Sequence, residues 1–307
     1  TNTLGFGIIA SGSNVVNKAD ITLEDSLNPN TPNIGMYTSG ADVLKNIGNV
    51  KVGKNGIGIY GKDFENGDSI SYPSSTIEAG ENGIGIYSTG GTGKLKSGSI
   101  KAGKDGVGVY IAGNGGTVRA DASFSMNLGD GSEGNNKGAF GFVNVGQNNK
   151  IISNISNVAL QNNSVYIYSK DTSGTAVNPQ IENNTDIIAS GKNNYRIYSA
   201  GYVVNTGNMN LQSGTGNVGV YSIKGGTIEN RHRLDGTGGV ITVGGSIPGE
   251  DEYGVGMAAG YSWTQKDLEK PLAQRPEETT GNIINRGTIN VNGKNSIGMY
   301  LSLIHIS

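Results

Sequence analysis

The chain has 307 residues, 52 of them glycine and seven proline, with no cysteine and a formal net charge of −2. The missing cysteine excludes disulfides, thiolate metal sites and cysteine nucleophiles, and interspersed lysines and glutamates exclude both a basic nucleic-acid stripe and an acidic tail. An apolar share of 35%, with 14 tyrosines, excludes a flexible linker and leaves a turn-rich chain with enough side chains to build a core.

The chain opens without methionine and in mid-pattern, at Leu4-Gly5-Phe6-Gly7, as expected of a piece cut from a longer protein. No run approaches the roughly 20 apolar residues of a membrane-spanning helix, and Thr1 does not begin a signal peptide. Along the chain one tetrad recurs: Ile34-Gly35-Met36-Tyr37, Ile57-Gly58-Ile59-Tyr60, Ile84-Gly85-Ile86-Tyr87, Val107-Gly108-Val109-Tyr110, Val218-Gly219-Val220-Tyr221 and Ile297-Gly298-Met299-Tyr300. Looser copies stand at Phe6-Gly7-Ile8-Ile9, Phe140-Gly141-Phe142-Val143, Val165-Tyr166-Ile167-Tyr168, Tyr195-Arg196-Ile197-Tyr198 and Val255-Gly256-Met257-Ala258. Their last residues are never closer than 23 positions. A minimum period with variable excess is what a coil of fixed circumference gives when some turns carry loops.

A second segment precedes the tetrad at near-constant offset, as in Val50-Lys51-Val52-Gly53-Lys54-Asn55-Gly56 and Ile100-Lys101-Ala102-Gly103-Lys104-Asp105-Gly106. Its alternation of apolar and polar residues before a glycine corner predicts a short strand with one face inward, then a turn. The tetrad is the next strand, with Ile57 and Ile59 expected inside and Gly58 and Tyr60 outside. A unit of two or three short strands cannot bury its apolar face alone, so successive units are expected to stack in parallel. The fold class is therefore all-β, a right-handed parallel β-helix of about 11 irregular coils over residues 1–300. At about 4.8 Å per rung, such a rod is roughly 50 Å long. Recurring asparagines and tyrosines are expected to form ladders along it.

Two stretches break the spacing and are expected as loops on the rod, 117–137 and 249–281. The second carries the single tryptophan, and its Tyr261 and Trp263 are the candidate contacts of a protruding recognition loop. The final residues, Leu301 to Ser307, abandon the pattern and look like the translation of a transposon-end sequencing adaptor.

Several motifs imitate chemistry. Gly56-Ile57-Gly58-Ile59-Tyr60-Gly61 and Gly214-Thr215-Gly216-Asn217-Val218-Gly219 match the dinucleotide fingerprint, but that fingerprint requires a helix after the glycines where another β segment is expected. Asp130, Ser132 and Gly134 lack the alternating acidic ligands of a calcium loop. With only His232 and the tail's His305, no histidine pair is available for zinc or a triad. The densest acidic cluster, Glu250-Asp251-Glu252, reads as a solvated loop, although parallel β-helices include polysaccharide-cleaving enzymes that need clustered carboxylates. No catalytic, metal or cofactor site is assigned.

The combination Asn285-Arg286-Gly287-Thr288-Ile289-Asn290-Val291 followed by Gly293-Lys294-Asn295-Ser296-Ile297-Gly298-Met299-Tyr300 resembles the passenger repeats of large bacterial autotransporter adhesins of the type V secretion class. The resemblance extends over nearly all of residues 1–300 and is specific in repeat style only. It implies a Gram-negative cell-surface protein, with a signal peptide upstream and an outer-membrane β-barrel anchor downstream. It also implies a stalk that carries binding loops for host cells, other bacteria or matrix. No catalytic residues transfer, and the Gly-Asp-Ser-Gly signature of serine-protease passengers has no match. A surface-presenting rod is thus the expected function, with a polysaccharide-cleaving β-helix enzyme as the alternative.

Overall fold

The computed structural model describes residues 4–68, 74–133, 138–250, 252–263 and 265–301. Its strands fall on three faces of a parallel β-helix. The tetrads form an eleven-stranded sheet running from Phe6–Ala10 to Ile297–Leu301, and the segments after them form a ten-stranded sheet from Val15–Asn17 to Asn282–Arg286. The third face holds two five-stranded sheets, one ending at Phe124–Leu128 and the next starting at Asn157–Leu160. Every strand pair within these sheets is parallel and joins equivalent strands of successive coils, as in Ile84↔Val107 and Ile100↔Met126.

The local code explains each face. In Asn49–Val52, Val50 and Val52 are buried while Asn49 and Lys51 face solvent, the period of two expected of a half-buried strand. The corner that follows needs a left-handed residue, supplied by Asn55, Asn82, Asp105 and Asn295 at φ between 54° and 57°; asparagine and aspartate adopt that conformation at least cost among residues with side chains. Each coil then sends one large apolar side chain inward from each face. Ile59, Phe64 and Ile77 meet in one coil, and Ile86, Leu95 and Ile100 in the next, all fully buried. Each contributes on the order of 1.5–3 kcal/mol of burial, and each is covered only because a neighbouring coil lies above and below it.

Inner polar columns run beside this core. Asn17 donates to Asn46 and Asn46 to Asn66 at 2.9 and 2.8 Å. Asn183, Asn205, Asn230 and Asn285 repeat the ladder at 2.7–2.9 Å. Between the two ladders, Leu95, Ala120 and Ser153 hold the same register.

The tetrad is not a simple alternating strand. Its pairing joins Ile57 to Ile84, Ile59 to Ile86 and Tyr60 to Tyr87 but skips the second residue. A Cβ on Gly58 would lie 2.5 Å from both Ile77 Cγ2 and the Gly85 carbonyl oxygen, so this position faces the core beside Ile59. A local bulge places two consecutive residues on one side, which turns the first and fourth residues outward together. Ile59 inside and Tyr60 outside agree with the alternating pattern; Gly58 inside corrects it, and Ile57 is buried as expected but outside the central cluster that Ile59 joins. Glycine stands at the second position because Ile77 already fills the space that a side chain would need.

The 117–137 stretch is also less of a loop than its spacing suggests. Thr117–Ala120 pairs with Thr92–Leu95, and Phe124–Leu128 pairs with Gly98–Ala102, so the excess begins only after Leu128. Within 249–281, Val255–Ala259 is a strand of the tetrad sheet flanked by Val218–Ser222 and Ile297–Leu301; the excess lies on either side of it. Leu301 ends the last tetrad strand, and the rest of the unusual tail lies outside the described residues.

Candidate functional site

The bulge has a direct consequence for the surface. Since the first and fourth tetrad residues both lie off the central core, each rung of the longest sheet carries an aliphatic or aromatic pair on its outer side, and stacking aligns these into two columns in which the tyrosines are partly exposed while Ile34, Ile57, Val218, Val255 and Ala258 are covered by their neighbours. In the fourth-position column Tyr37, Tyr60, Tyr87 and Tyr110 stack at 4.9–5.3 Å with interplanar angles of 10–25°. Tyr168, Tyr198 and Tyr221 stack again at 5.3 and 5.1 Å. Offset stacks of this kind contribute about 0.5–1.5 kcal/mol each beyond burial. Close packing also disfavours ionisation. Burial, followed by the neighbouring rings of Tyr168 and Tyr195, pushes the Tyr198 hydroxyl up to about 12, and burial first, then Tyr87 and Tyr37, raises Tyr60.

The first-position column is mostly aliphatic, with Phe6, Phe140 and Tyr195 as its aromatic members, Tyr195 being set edge-on to Tyr198 and Tyr221. Val218, Val255 and Ala258, with Tyr195, Tyr221 and Ile297 against them, form an apolar cluster separate from the central core. Three clefts open along this face. One of about 570 Å³ is lined by Tyr195, Val218, Tyr221, Val255, Ala258 and Tyr300 among others. A second of about 400 Å³ lies between Phe140, Val165, Tyr195 and Glu133. A third of about 350 Å³ lies between Tyr198, Tyr221, Lys224 and Tyr261. The first two share Asn193 and Tyr195, and the first and third share Tyr221, so they form one chain of hollows along the rod.

The rim is polar. Lys192 approaches Glu252 at 3.1 Å and Glu133 at 3.6 Å. Hydrogen bonds to Glu252, then its charge, raise the Lys192 ammonium. Glu252 is held below the ordinary carboxylate range chiefly by the hydrogen bond that Thr215 donates, with Lys192 and Asn193 adding theirs against the opposing effect of burial.

Of the two loop residues expected as contacts, Tyr261 lines the third cleft, pairs with Thr279 in an antiparallel bridge and donates its hydroxyl to Asp267. Trp263 is held by its own loop, its indole N–H donating to the Pro276 carbonyl at 2.8 Å and its ring lying under the Arg275 guanidinium at 5.0 Å. The hollows beside Tyr195, Tyr221 and Ala258 had no motif to announce them; their only sequence signal is the substitution of alanine and tyrosine into fixed places of the tetrad.

The imitative motifs disperse in three dimensions. Gly56–Gly61 leads into the strand Asp63–Asn66 rather than a helix. Asp130 accepts from the Asn162 backbone and side chain at 3.0 and 3.1 Å, whereas Ser132 donates to Asp105, and Gly134 lies outside the described residues. His232 bonds its Nδ1 to the Gly238 carbonyl at 2.7 Å. Glu250 is exposed and Glu252 is buried in its ion pair, while Asp251 lies outside the described residues. Among the described residues no group of three or more histidine, aspartate or glutamate side chains is placed to hold a metal ion, and several outer carboxylates face lysines of neighbouring rungs, as Glu78 faces Lys51 and Glu65 faces Lys94 and Lys96.

Comparison of the chain with protein-family models, with curated proteins and with solved structures found no match.

Proposed function

We propose that this chain is a segment of a cell-surface rod, an adhesin or stalk of the autotransporter passenger type, which projects from a Gram-negative outer membrane and presents its side to host cells, other bacteria or matrix. The observation that carries the reading is the outward pair of apolar columns on the eleven-stranded sheet. A rod needs its inner face to be apolar, whereas polar side chains would serve on its outer face, and aromatic columns interrupted at Val143 and Ala258 are the kind of outer apolar patch that marks a contact surface. The repeat supplies reach, since 11 coils span roughly 50 Å, and the side of the rod offers the contact. Among the described residues no helix is long and apolar enough to cross a membrane.

The test is adhesion by the purified chain. Beads coated with residues 1–307 are expected to adhere to epithelial cells, bacterial cells or immobilised matrix above beads coated with an unrelated β-solenoid. Equal background adhesion on all three surfaces would remove the presenting role from this segment.

A further inference from the structure

Apolar burial does not distinguish the coil that runs from Gln180 to Ser199. Its strands Ile181–Asn183, Asp186–Ala189 and Tyr195–Ser199 bury Ile181, Ile187 and Ile197 as fully as a regular coil buries Phe64, Ile77 and Ile59. What sets it apart is polar. Among the described residues, buried side-chain nitrogen or oxygen atoms without a hydrogen-bond partner occur at six residues, and four of these, Gln180, Asn183, Asn194 and Arg196, stand in this one coil. The other two, Thr31 and Thr279, lie outside the stacked sheets.

Each fault has a cause in a neighbouring coil. Asn183 heads the second asparagine ladder, and the residue in register before it is Ser153, whose hydroxyl is engaged with Tyr166 and Thr185 at 2.6 and 2.7 Å. The Asn183 Oδ1 is therefore left without a donor. Asn194 accepts from the Ser164 backbone at 2.8 Å, but its Nδ2 has no acceptor. Asn217, one coil on, donates instead to the Gly191 and Ser213 carbonyls at 3.0 and 3.2 Å. Gln180 accepts from Ser169 at 3.3 Å and leaves its Nε2 unpaired. Arg196 lies in the core with a single bond, of 3.4 Å, to the Asn210 carbonyl.

The connection to the next coil is thin at the same place. Asp186–Ala189 pairs along its whole length with Asn157–Leu160 on one side. On the other side only Ile187 and Ile188 find partners, in the two-residue strand Met209–Asn210. The one bond that Arg196 makes ends on that short strand.

A buried donor or acceptor without a partner forfeits the hydrogen bond that water gives it in the unfolded chain, and an unmatched buried charge forfeits more. In a stack where each coil touches only its neighbours, stability is a sum of coil and interface contributions, and local opening begins where that sum is least. We propose that the coil Gln180–Ser199 is a built-in opening point of the rod: its strands leave the sheets and admit water to Arg196 while the coils from Ile34 to Leu128 stay stacked. Opening there leaves two stacks tethered by a loosened coil.

The chain has no cysteine, so a single introduced thiol reports the opening. Ala189 and Ala102 end equivalent third-face strands and are 1% and 4% exposed. In the 307-residue chain under native conditions, Ala189→Cys is expected to react with dithiobis-nitrobenzoate about tenfold faster or more than Ala102→Cys does. Adding Arg196→Met to Ala189→Cys should slow that reaction about fivefold or more. Hydrogen exchange on the unsubstituted chain, followed by mass spectrometry, asks the same question without any variant: Asp186–Ala189 and Tyr195–Ser199 should exchange faster than the matched strands Thr76–Ala79 and Ile84–Ser88. Equal labelling of the two thiols overturns the proposal, as does equal exchange of the matched strands. Labelling of Ala189→Cys that Arg196→Met leaves unchanged overturns it too, because the unpaired guanidinium would then have no part in the opening.

Discussion

The coils between Ile34 and Ile111 and those between Ala139 and Ala259 share one plan, but only the first set keeps it at every rung. In the first, the inward second position is Gly35, Gly58, Gly85 and Gly108, and the outer column is four stacked tyrosines. In the second, Tyr166 and Arg196 enter the core at the glycine position, and Val143 and Ala258 break the column. Tyr166 fits because Gly141 on the neighbouring coil leaves room, a Cβ there being 2.8 Å from Tyr166 Cδ2, and because its hydroxyl meets Ser153 and Thr185. Arg196 is equally buried, yet it makes one long hydrogen bond, from Nη2 to the Asn210 carbonyl at 3.4 Å, and its Nε and Nη1 have no partner. The comparison teaches that the inner position tolerates bulk where the neighbouring coil makes space, and that polar bulk is harmless only when its atoms are matched.

Replacing Arg196 is the strongest way to break this difference. Arg196→Met keeps the volume and removes an unmatched charge, so it should stabilise the rod by about 1–4 kcal/mol at neutral pH, measured by thermal and urea melts. Burial lowers the Arg196 guanidinium to about 9 from its ordinary 12.5, so between these values the unfolded chain holds a proton that the fold releases. Wild-type stability from this group then rises with pH, and the advantage of Arg196→Met should shrink from pH 9 upward. An advantage independent of pH would show that the gain comes from packing alone.

The regular half breaks in the opposite direction. Gly58→Ala places a methyl against Ile77 and the Gly85 carbonyl and should cost about 1–3 kcal/mol. Gly245→Ala is the control, since nothing lies within 4 Å of a Cβ there, and it should melt as the wild type does. Equal melting of the two variants would remove the bulge as the reason for glycine in the tetrad.

These residues also mark what the sequence disclosed. The period, the stacking and the inward Ile59 are legible because a repeat must place like residues in register. The bulge was not, since a period of two assigns Ile57 and Ile59 to one face, and only the recurrent glycine between them hints that the strand turns two residues inward. The strands Thr117–Ala120 and Phe124–Leu128 were hidden because Val118 and Met126 lie in a coil whose excess residues come later, near 129–138. The cleft lined by Tyr195, Tyr221 and Tyr300 draws on three separate coils, so it became visible only once the coils were aligned.

The outer column sharpens the comparison on the alkaline side. Tyr198 is pushed up to about 12, so in the fold it keeps a proton that the unfolded chain gives up near 10. Its contribution is complete below pH 10 and is lost as pH rises towards 12, opposite in sign to Arg196. Tyr198→Phe keeps the ring stack, so the fall in melting temperature between pH 9 and pH 11 should be smaller than in the wild type by about 2–4 °C, the shift that roughly 1 kcal/mol makes. Identical falls would mean that the column is wet enough for its hydroxyls to ionise freely.

The smallest effect belongs to the charged face of the regular half. Glu65 receives Lys94 at 3.1 Å and Lys96 at 2.9 Å across one rung. Burial opposes its charge, but the hydrogen bonds from Lys96 and Lys94 outweigh burial and hold the carboxyl below its ordinary range. The stability that it adds is present above the unfolded carboxylate range and is lost as pH falls through the folded value. Glu65→Gln should therefore cost no more than about 1 kcal/mol at pH 7 and nothing at pH 2. A larger loss at pH 7 would mean that the three side chains act as a single ladder across the sheet, and Lys94→Met combined with Glu65→Gln would measure that coupling directly.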